Sequence, residues 1–228
     1  MRSRRRSPID MRMQMKLYVY DHCPFCVKAR SIFGLKTLAF ELVVMLNDDA
    51  ATPERMVGRK VAPILENEGQ FLAESMDIVA NIDAVHGQRI LMGPANPIVT
   101  DWIKESSSNL YALAMPRWAR AQLPEFATAE ARAFFTQRKE AIIGPFSERL
   151  AETEDLITTA NLNLTRLDPL IQSADAVNGE LSTDDIHLFA HLRALSIVRG
   201  ITYPPAVEAY RKRMSEKMDV PLHDDIAW

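Results

Sequence analysis

The hydrophobic pattern of the chain changes once, in a segment rich in glycine and proline, and this change limits the folds that the chain can adopt. Before this segment, short apolar runs alternate with short helical patterns in the order βαβαββα. After it, the apolar segments have the spacing of three and four residues that is typical of helices. We therefore predict an α/β first domain at residues 15–86, a linker at 87–97 and an all-helical second domain at 98–228.

Turn residues bound the predicted elements of the first domain. Pro24 suits the first position of a helix, and Gly34 is expected to end that helix. Asn67, Glu68 and Gly69 predict a hairpin turn between two short strands. The predicted strands are 16–20, 38–45, 64–66 and 70–73, and the predicted helices are 24–33, 52–58 and 75–85.

Five helical segments are predicted in the second domain. Pro116 must end or kink the first of them, because proline lacks the N–H group that a helix uses. Ser182 and Asp185 predict a capping box at the start of another helix, with a role in folding. The five segments begin near residues 98, 131, 156, 186 and 205, and Gly144–Pro145 stops the second.

Charge separates a short N-terminal segment from the rest of the chain. Residues 1–14 carry five arginines and one aspartate, so they hold +4 in a chain whose net charge is −3. This segment has no periodic apolar face, and we expect it to be a disordered basic extension. The acidic remainder gives no reason to expect nucleic-acid binding, and no apolar run approaches the roughly 18 residues of a membrane span.

The chain has two cysteines, which stand three positions apart between a predicted strand and a predicted helix. The first amides of a helix stabilise a thiolate, the reactive form in disulfide exchange. Cys23 lies just before the helix and Cys26 one turn inside it. Cys23 is therefore predicted to be the attacking nucleophile and Cys26 the resolving thiol. Because no other cysteine is available for a structural disulfide, we expect a reducing compartment, the cytoplasm.

A metal site is the main alternative for a closely spaced pair of cysteines. A structural zinc ion would need two further Cys or His ligands at suitable spacing. The sequence has no second cysteine pair, and its five histidines are scattered singly. We therefore predict a redox pair and no metal. His22, next to Cys23, is interpreted as a turn residue without a role in the chemistry.

Several segments resemble the glutaredoxins, and more narrowly the large two-domain bacterial glutaredoxins that carry a glutathione-transferase-like helical domain. The resemblance extends from residue 15 to about residue 210, and it is carried by YDHCPFCVKAR, IFGLK, LNDDA, RMVG, PIL, ESMDIV and VNGELSTDDIHLF. It implies a thioredoxin-like first domain and a glutathione-transferase-like second domain. It also implies a cytosolic reductase with glutathione as its reductant.

The resemblance implies a glutathione site in two parts. Ala62–Pro63 matches the place where the family has a cis-proline, so that the backbone of Ala62 would pair with glutathione as an added strand does. Glu74 and Ser75 match the pair that holds the γ-glutamyl end, and Ser75 begins a helix that can receive a carboxylate. Lys60 is a further candidate for the glycine carboxylate.

The cysteine loop itself completes the implied glutathione site through Cys23, Pro24 and Phe25. The chain departs from the family at two of these positions. Phe25 stands where many glutaredoxins have tyrosine, and Ala62 stands where the family often has valine. Neither change removes the reaction, because one lacks only a hydroxyl group and the other role belongs to the backbone.

The predicted enzyme reduces protein disulfides and glutathione mixed disulfides through Cys23 and Cys26. We expect its partners to be glutathione and disulfide-containing or glutathionylated proteins, with no nucleic acid or membrane, and we expect a monomer. Three alternatives remain: a glutathione transferase, a dehydroascorbate reductase, and an iron–sulfur-binding interaction module. The second cysteine argues against the transferase, and Pro24-Phe25-Cys26 favours a closed disulfide over a cluster.

Overall fold

The computed structural model describes residues 15–228, so the predicted N-terminal extension at residues 1–14 lies outside the described residues. The first part of the described chain contains four strands and three helices. They are β1 (Lys16–Val19), α1 (Pro24–Leu35), β2 (Glu41–Val44), α2 (Ala51–Val57), β3 (Ile64–Asn67), β4 (Gln70–Ala73) and α3 (Ser75–Val85).

The four strands form one mixed sheet in the order β2-β1-β3-β4. β1 lies parallel to β2, with α1 as the crossover between them, and antiparallel to β3. β3 and β4 form the predicted hairpin, with Ile64 opposite Ala73 and Asn67 opposite Gln70. The thioredoxin-like fold that the resemblance implies is confirmed.

The second part of the described chain is helical. Its helices are α4 (Pro97–Arg120), α5 (Ala129–Ile143), α6 (Phe146–Ala151), α7 (Thr153–Leu167), α8 (Thr183–Leu195) and α9 (Pro205–Met218), with short 3-10 helices at Pro124–Phe126, Asp168–Leu170 and Asp224–Ile226. The all-helical second domain is confirmed. α6 was not predicted, because Gly144–Pro145 was interpreted only as a stop. No helix among residues 15–228 is long and apolar enough to cross a membrane.

The prediction that Gly34 ends α1 is wrong. The helix continues to Leu35, and the chain turns at Thr37, whose φ is 52°. A Cβ atom on Gly34 would overlap the backbone carbonyl group of Met218 at the end of α9. This glycine therefore allows two helices to approach closely, instead of supplying a left-handed turn.

Of the two predicted effects of Pro116, to end or to kink its helix, the first is wrong. α4 continues for four more residues, to Arg120, with Pro116 inside it. The residues around Pro116 are buried, and the helix continues because this segment packs in the apolar core. Tertiary packing here outweighs the hydrogen bond that proline cannot make.

The predicted capping box at the start of α8 is confirmed. The Ser182 side chain accepts a hydrogen bond from the backbone of α8, and the carboxylate of Asp185 accepts one from the Ser182 N–H at 2.9 Å. Asp185 is fully buried and also accepts from the Val177 N–H at 2.7 Å and the Tyr210 hydroxyl at 2.9 Å. Because these bonds connect the loop at Val177, the start of α8 and helix α9, the capping box has a structural role.

The two domains share one apolar core. α1 of the first domain packs against α3 and also against α8 and α9 of the second. The cysteine pair lies at the N-terminal end of α1. The cysteines are therefore located where the two domains meet.

Candidate active site

Cys23 and Cys26 occupy the turn between β1 and α1. Cys23 is the N-cap residue of α1, with φ −72° and ψ 119°, and Pro24 is the first helical residue. The Cys23 N–H donates to the Tyr20 carbonyl at 3.2 Å, which closes the turn after the strand. Both cysteines are free; Cys23 is partly exposed, whereas Cys26 is fully buried. The turn therefore leaves the Cys23 thiol partly accessible and buries the Cys26 thiol.

The two thiols have opposed acidities. A hydrogen bond from the Cys26 side chain lowers the pKa of Cys23 to about 6; burial opposes this shift, and the His22 ring and the N–H groups of Cys26 and Phe25 add to it. Burial, and then the nearby Cys23, raise the pKa of Cys26 well above its ordinary value. The asymmetry supports the assignment of Cys23 as nucleophile and Cys26 as resolving thiol.

A cleft of about 300 Å³ opens beside Cys23, between the two domains. Ala62 lies on its wall, and the Ala62–Pro63 peptide bond is cis, as predicted. The cleft is lined by Tyr20, His22, Cys23, Asn47, Lys60, Val61, Ala62, Phe134, Phe135, Arg138 and Lys139. Of the predicted site residues, this cleft brings together Cys23, Ala62 and Lys60.

Glu74 and Ser75 lie at the junction of β4 and α3 and do not line this cleft. Ser75 is buried at the first position of α3, as predicted. Glu74 precedes it with φ 71°, in the left-handed region, and its exposed carboxylate accepts from Arg59 at 2.6 Å. Ala73 pairs with Ile64 at the end of the hairpin, and Glu74 and Pro63 are the residues that adjoin this last pair in sequence.

Phe25 lies on the outer face of the cysteine loop and is 52% exposed. The ammonium group of Lys28 lies 4.8 Å from the centre of its ring. An exposed aromatic ring next to the partly exposed thiol gives an apolar surface for a bound molecule to cover.

The second domain supplies the other wall of the cleft with aromatic and cationic side chains that sequence reasoning missed. The ring centre of Phe134 in α5 is 5.1 Å from the ammonium of Lys60 and 5.4 Å from the guanidinium of Arg138. Lys60 is held in place because it donates to two backbone carbonyls at 2.7 Å each. Tyr111 of α4 is a further residue of the second domain that is influenced by the nucleophile: burial, and then the charge on Cys23, raise its pKa.

His22, which was interpreted from the sequence as a turn residue without a role in the chemistry, contacts the second domain directly. Its backbone N–H donates to the Glu125 carboxylate at 2.9 Å, and its ring Nδ1 lies 2.6 Å from the same oxygen. Glu125 belongs to the 3-10 helix at Pro124–Phe126 and is fully buried. The residue next to the nucleophile is therefore fixed by the helical domain.

Asp21 makes a second link between the cysteine turn and the helical domain. Its carboxylate accepts from Arg30 of α1 at 2.7 Å and from Arg193 of α8 at 2.8 Å, and it lies 2.9 Å from the Nε2 atom of His223. Arg193 also donates to the Asp21 carbonyl. Burial opposes ionisation of Asp21, but the hydrogen bonds and charges of His223, Arg193 and Arg30 hold its pKa well below the usual value.

Comparisons of the two domains and of the whole chain with known proteins agree on one family. Residues 17–89 match the glutathione S-transferase N-terminal domain, and residues 98–227 match the C-terminal domain of glutaredoxin 2. Glutaredoxin 2 of Escherichia coli strain K12 is 45% identical over 214 residues, which cover 93% of this chain and all of that protein. Among the residues 15–228 that the structure describes, no group of three or more His, Cys, Asp or Glu residues could hold a metal ion.

Solved structures extend the comparison. The crystal structure of glutaredoxin 2 from Salmonella typhimurium in complex with glutathione is 46% identical, with a TM-score of 0.93, and the match covers 95% of this chain and all of that chain. The glutathione transferase GSTFuA3 from Phanerochaete chrysosporium is 12% identical, with a TM-score of 0.69 over 90% of this chain and 97% of that chain. The second likeness concerns the fold alone.

Proposed function

The chain belongs to the glutaredoxin 2 family and is a glutathione-dependent oxidoreductase, and we propose that it is a dithiol enzyme in which Cys23 attacks and Cys26 resolves. The observation that carries this proposal is the opposed pair of thiol environments. Cys23 is partly exposed with a lowered pKa, whereas Cys26 is buried with a raised pKa. One thiol is ready to attack near neutral pH, and the other reacts once a disulfide forms beside it.

Reduction of a glutathionylated protein needs only Cys23. Its thiolate attacks the glutathione sulfur, the S–S bond of the substrate breaks, and the protein leaves as a thiolate that takes up a proton. Glutathione then remains on Cys23. The thiolate of a second glutathione attacks the glutathione sulfur of this mixed disulfide, which releases glutathione disulfide and restores the Cys23 thiolate.

Reduction of a protein disulfide needs both cysteines. Cys23 attacks one sulfur of the substrate and forms a mixed disulfide with it, while the other substrate sulfur leaves as a thiol. Cys26 loses its proton and attacks the Cys23 sulfur, which releases the second substrate thiol and leaves a Cys23–Cys26 disulfide. Two glutathione molecules reduce this disulfide in turn and leave as glutathione disulfide.

We expect Cys26→Ser to separate these two reactions. The variant should keep reduction of glutathione mixed disulfides, because that route uses Cys23 alone. It should lose most reduction of protein disulfides, because no second thiol releases the substrate. The measurement is glutathione-coupled turnover with one substrate of each kind. Equal loss of both activities would contradict the division of roles.

The proposed glutathione site combines the cysteine loop, Ala62 and the start of α3. Cys23 and Ala62 line one cleft, so the backbone of Ala62 is available to a peptide whose sulfur lies at Cys23. Ser75 begins α3, whose first N–H groups favour a carboxylate. Glu74 and Pro63 adjoin the last pair of the hairpin in sequence, and Glu74 can accept from an ammonium group. In this proposal Pro24 and Phe25 cover the glutathione sulfur.

Replacing Glu74 or Ser75 should weaken glutathione binding and leave the thiol chemistry intact. Loss of one charge-assisted contact typically costs about 1.5–3 kcal/mol, or roughly ten- to a hundredfold in binding. Glu74→Gln and Ser75→Ala should therefore raise the KM for glutathione, while the thiolate absorbance of Cys23 titrates as in the parent protein. The exposed Glu68, at the tip of the hairpin, supplies the control variant Glu68→Gln. An unchanged glutathione dependence in both variants would show that glutathione binds elsewhere.

We propose further that the enzyme acts in the cytoplasm, as a monomer, on disulfide-containing and glutathionylated proteins. A cysteine pair without any other cysteine in the chain supports a reducing compartment. The proposed domains are 15–86 and 98–228, joined by a linker at 87–97, although α4 already begins at Pro97. In this proposal both domains are needed, because the cleft beside Cys23 has a wall from each.

A further inference from the structure

The ring of His22 lies in an aromatic surrounding next to Cys23. Its centre is 5.1 Å from the ring centres of Trp118 and Phe126 and 5.0 Å from that of Phe135, and all three residues belong to the helical domain. Tyr20 stacks on it from the first domain, at 6.1 Å. His22 is 5% exposed, so these rings fix its orientation.

Glu125 determines which ring nitrogen of His22 can react. One oxygen of its carboxylate receives the His22 backbone N–H at 2.9 Å and faces Nδ1 at 2.6 Å. A carboxylate accepts hydrogen bonds, so Nδ1 carries the proton of this contact. Nδ1 is thereby engaged, and Nε2 is the nitrogen left for proton transfer.

His22 and the nucleophile Cys23 line the same cleft. Among residues 15–228, Nε2 of His22 has no hydrogen-bond partner, and it is not one of the fully buried unpaired atoms. The cleft has a volume of about 300 Å³. The charge on His22 also acts on the Cys23 thiol, so a disulfide that reacts with Cys23 does so in the cleft that His22 lines.

The other proton-carrying groups of the cleft are poorly suited to this task. Burial raises the pKa of Tyr20, and the nearby cysteines raise it further. The cationic side chains that line the cleft are those of Lys60, Arg138 and Lys139. Arginine holds its proton at neutral pH, and Lys60, although burial lowers its pKa, is engaged by the backbone carbonyls to which it donates at 2.7 Å each, whereas an imidazole side chain ordinarily gains and loses a proton near neutral pH. Among the lining residues, histidine is the group whose ordinary chemistry fits a proton shuttle.

We propose that His22 is the general acid that protonates the leaving thiolate and the general base that deprotonates the incoming glutathione thiol. Glu125 is the positioning residue that holds the His22 ring. The inference rests on the proposed function, in which Cys23 is the nucleophile. Cys23 thiolate attacks the glutathione sulfur of a mixed disulfide, the S–S bond breaks, and protonated His22 gives its Nε2 proton to the leaving thiolate. The next glutathione gives its thiol proton to Nε2 and, as a thiolate, attacks the glutathione sulfur of the mixed disulfide; its bond to Cys23 breaks, glutathione disulfide leaves and the Cys23 thiolate is restored. The proton on His22 is thus restored in each cycle.

The test compares two leaving groups in the first half-reaction alone. The parent protein is Cys26→Ser, which stops at Cys23–glutathione, and the substrates are glutathione mixed disulfides of cysteine and of 5-thio-2-nitrobenzoate. An alkyl thiolate is basic and gains from a proton, whereas an aromatic thiolate leaves readily without one. Single-turnover rates come from rapid quenching and mass spectrometry of the glutathionylated enzyme.

We expect His22→Asn to slow the cysteine substrate by on the order of a hundredfold more than the aromatic one. Asparagine can still donate to Glu125, so the buried carboxylate keeps a partner. Glu125→Gln should also slow the cysteine substrate more than the aromatic one, but by a smaller factor, because it keeps an acceptor for Nδ1 and removes only the charge. His191→Asn, which replaces another buried histidine in α8, should slow both substrates equally.

Equal losses with both leaving groups in His22→Asn would overturn the proposal, since a merely structural role does not distinguish them. Absence of glutathione on Cys23 in the parent protein would instead contradict the proposed function. The two failures are therefore distinguishable. Melting temperatures of all variants identify any loss of rate that comes from unfolding.

Discussion

Replacing Cys23 by serine should reduce turnover to the rate without enzyme, with glutathione mixed disulfides and with protein disulfides alike. Cys23 is the partly exposed thiol at the start of α1, and its pKa is lowered to about 6. A serine hydroxyl at this position cannot form the disulfide that both routes require. Cys26 cannot substitute for it, because it is fully buried and its pKa is raised.

The control for this experiment is the Cys26→Ser variant, which makes an equally small change one turn along the same helix. Both variants should melt close to the wild type, since neither cysteine forms a disulfide in the structure. The decisive comparison is mixed-disulfide turnover, which Cys26→Ser keeps and Cys23→Ser loses. Substantial turnover by Cys23→Ser would show that another group is the nucleophile.

Replacing Asp21 by alanine should lower the free energy of unfolding by about 3 kcal/mol, because it leaves buried positive charge without its counter-charge. The Arg193 side chain is 2% exposed, and its guanidinium contacts the Asp21 carboxylate at 2.8 Å. Arg30 and His223 lose the same partner. The measurement is equilibrium unfolding by urea at neutral pH.

The matched control for this variant is Asp175→Ala. Asp175 also contacts two cationic side chains, Arg213 and Lys217, but these contacts lie at the surface. Its removal should change stability little, because water replaces surface ion pairs readily. Equal effects of the two substitutions would contradict the view that Asp21 joins the domains through a buried network.

The pH dependence of the Asp21 effect has a definite sign. The folded protein holds the pKa of Asp21 below its unfolded value, so the carboxylate stabilises the fold at every pH above the unfolded value. That contribution is lost as pH falls below about 4 toward the folded pKa. The difference in unfolding free energy between wild type and Asp21→Ala should therefore persist at neutral pH and shrink in strong acid.

Local sequence signals correctly predicted the bounds of those helices and strands whose ends are determined by residues adjacent in sequence. Helix α3 and strand β4 have the predicted bounds, because the hairpin turn and the helix start are adjacent in sequence. Helix α9 also has its predicted bounds, from a proline at its first position to Met218. The capping box of α8 is equally local.

The wrong predictions depend on contacts between distant residues. Gly34 is required by the approach of Met218 from the other domain, and no pattern around Gly34 shows this. Pro116 remains inside α4 because its surroundings are buried, which is a property of the packed core. In both cases tertiary packing overrides a sound local rule.

The candidate site also has one part that the sequence predicts and another that depends on distant residues. The strand, turn and helix around Cys23 and Cys26 are local, so the sequence predicts the thiol pair. The helical-domain partners of His22 and Asp21 are more than one hundred residues away along the chain, and the sequence does not show them. The available signal was the run of aromatic and basic residues in α5, which matches the second wall of the cleft.

The most direct test of the account is to locate the glutathione that is trapped on the enzyme. Reduced Cys26→Ser and Cys23→Ser proteins are each mixed with a glutathionylated peptide, quenched in acid and mapped by mass spectrometry. We predict one glutathionyl group on Cys23 of the Cys26→Ser protein, which added glutathione removes, and none on the Cys23→Ser protein. A glutathionyl group on Cys26 of the Cys23→Ser protein, with none on Cys23 of the other variant, would contradict the account.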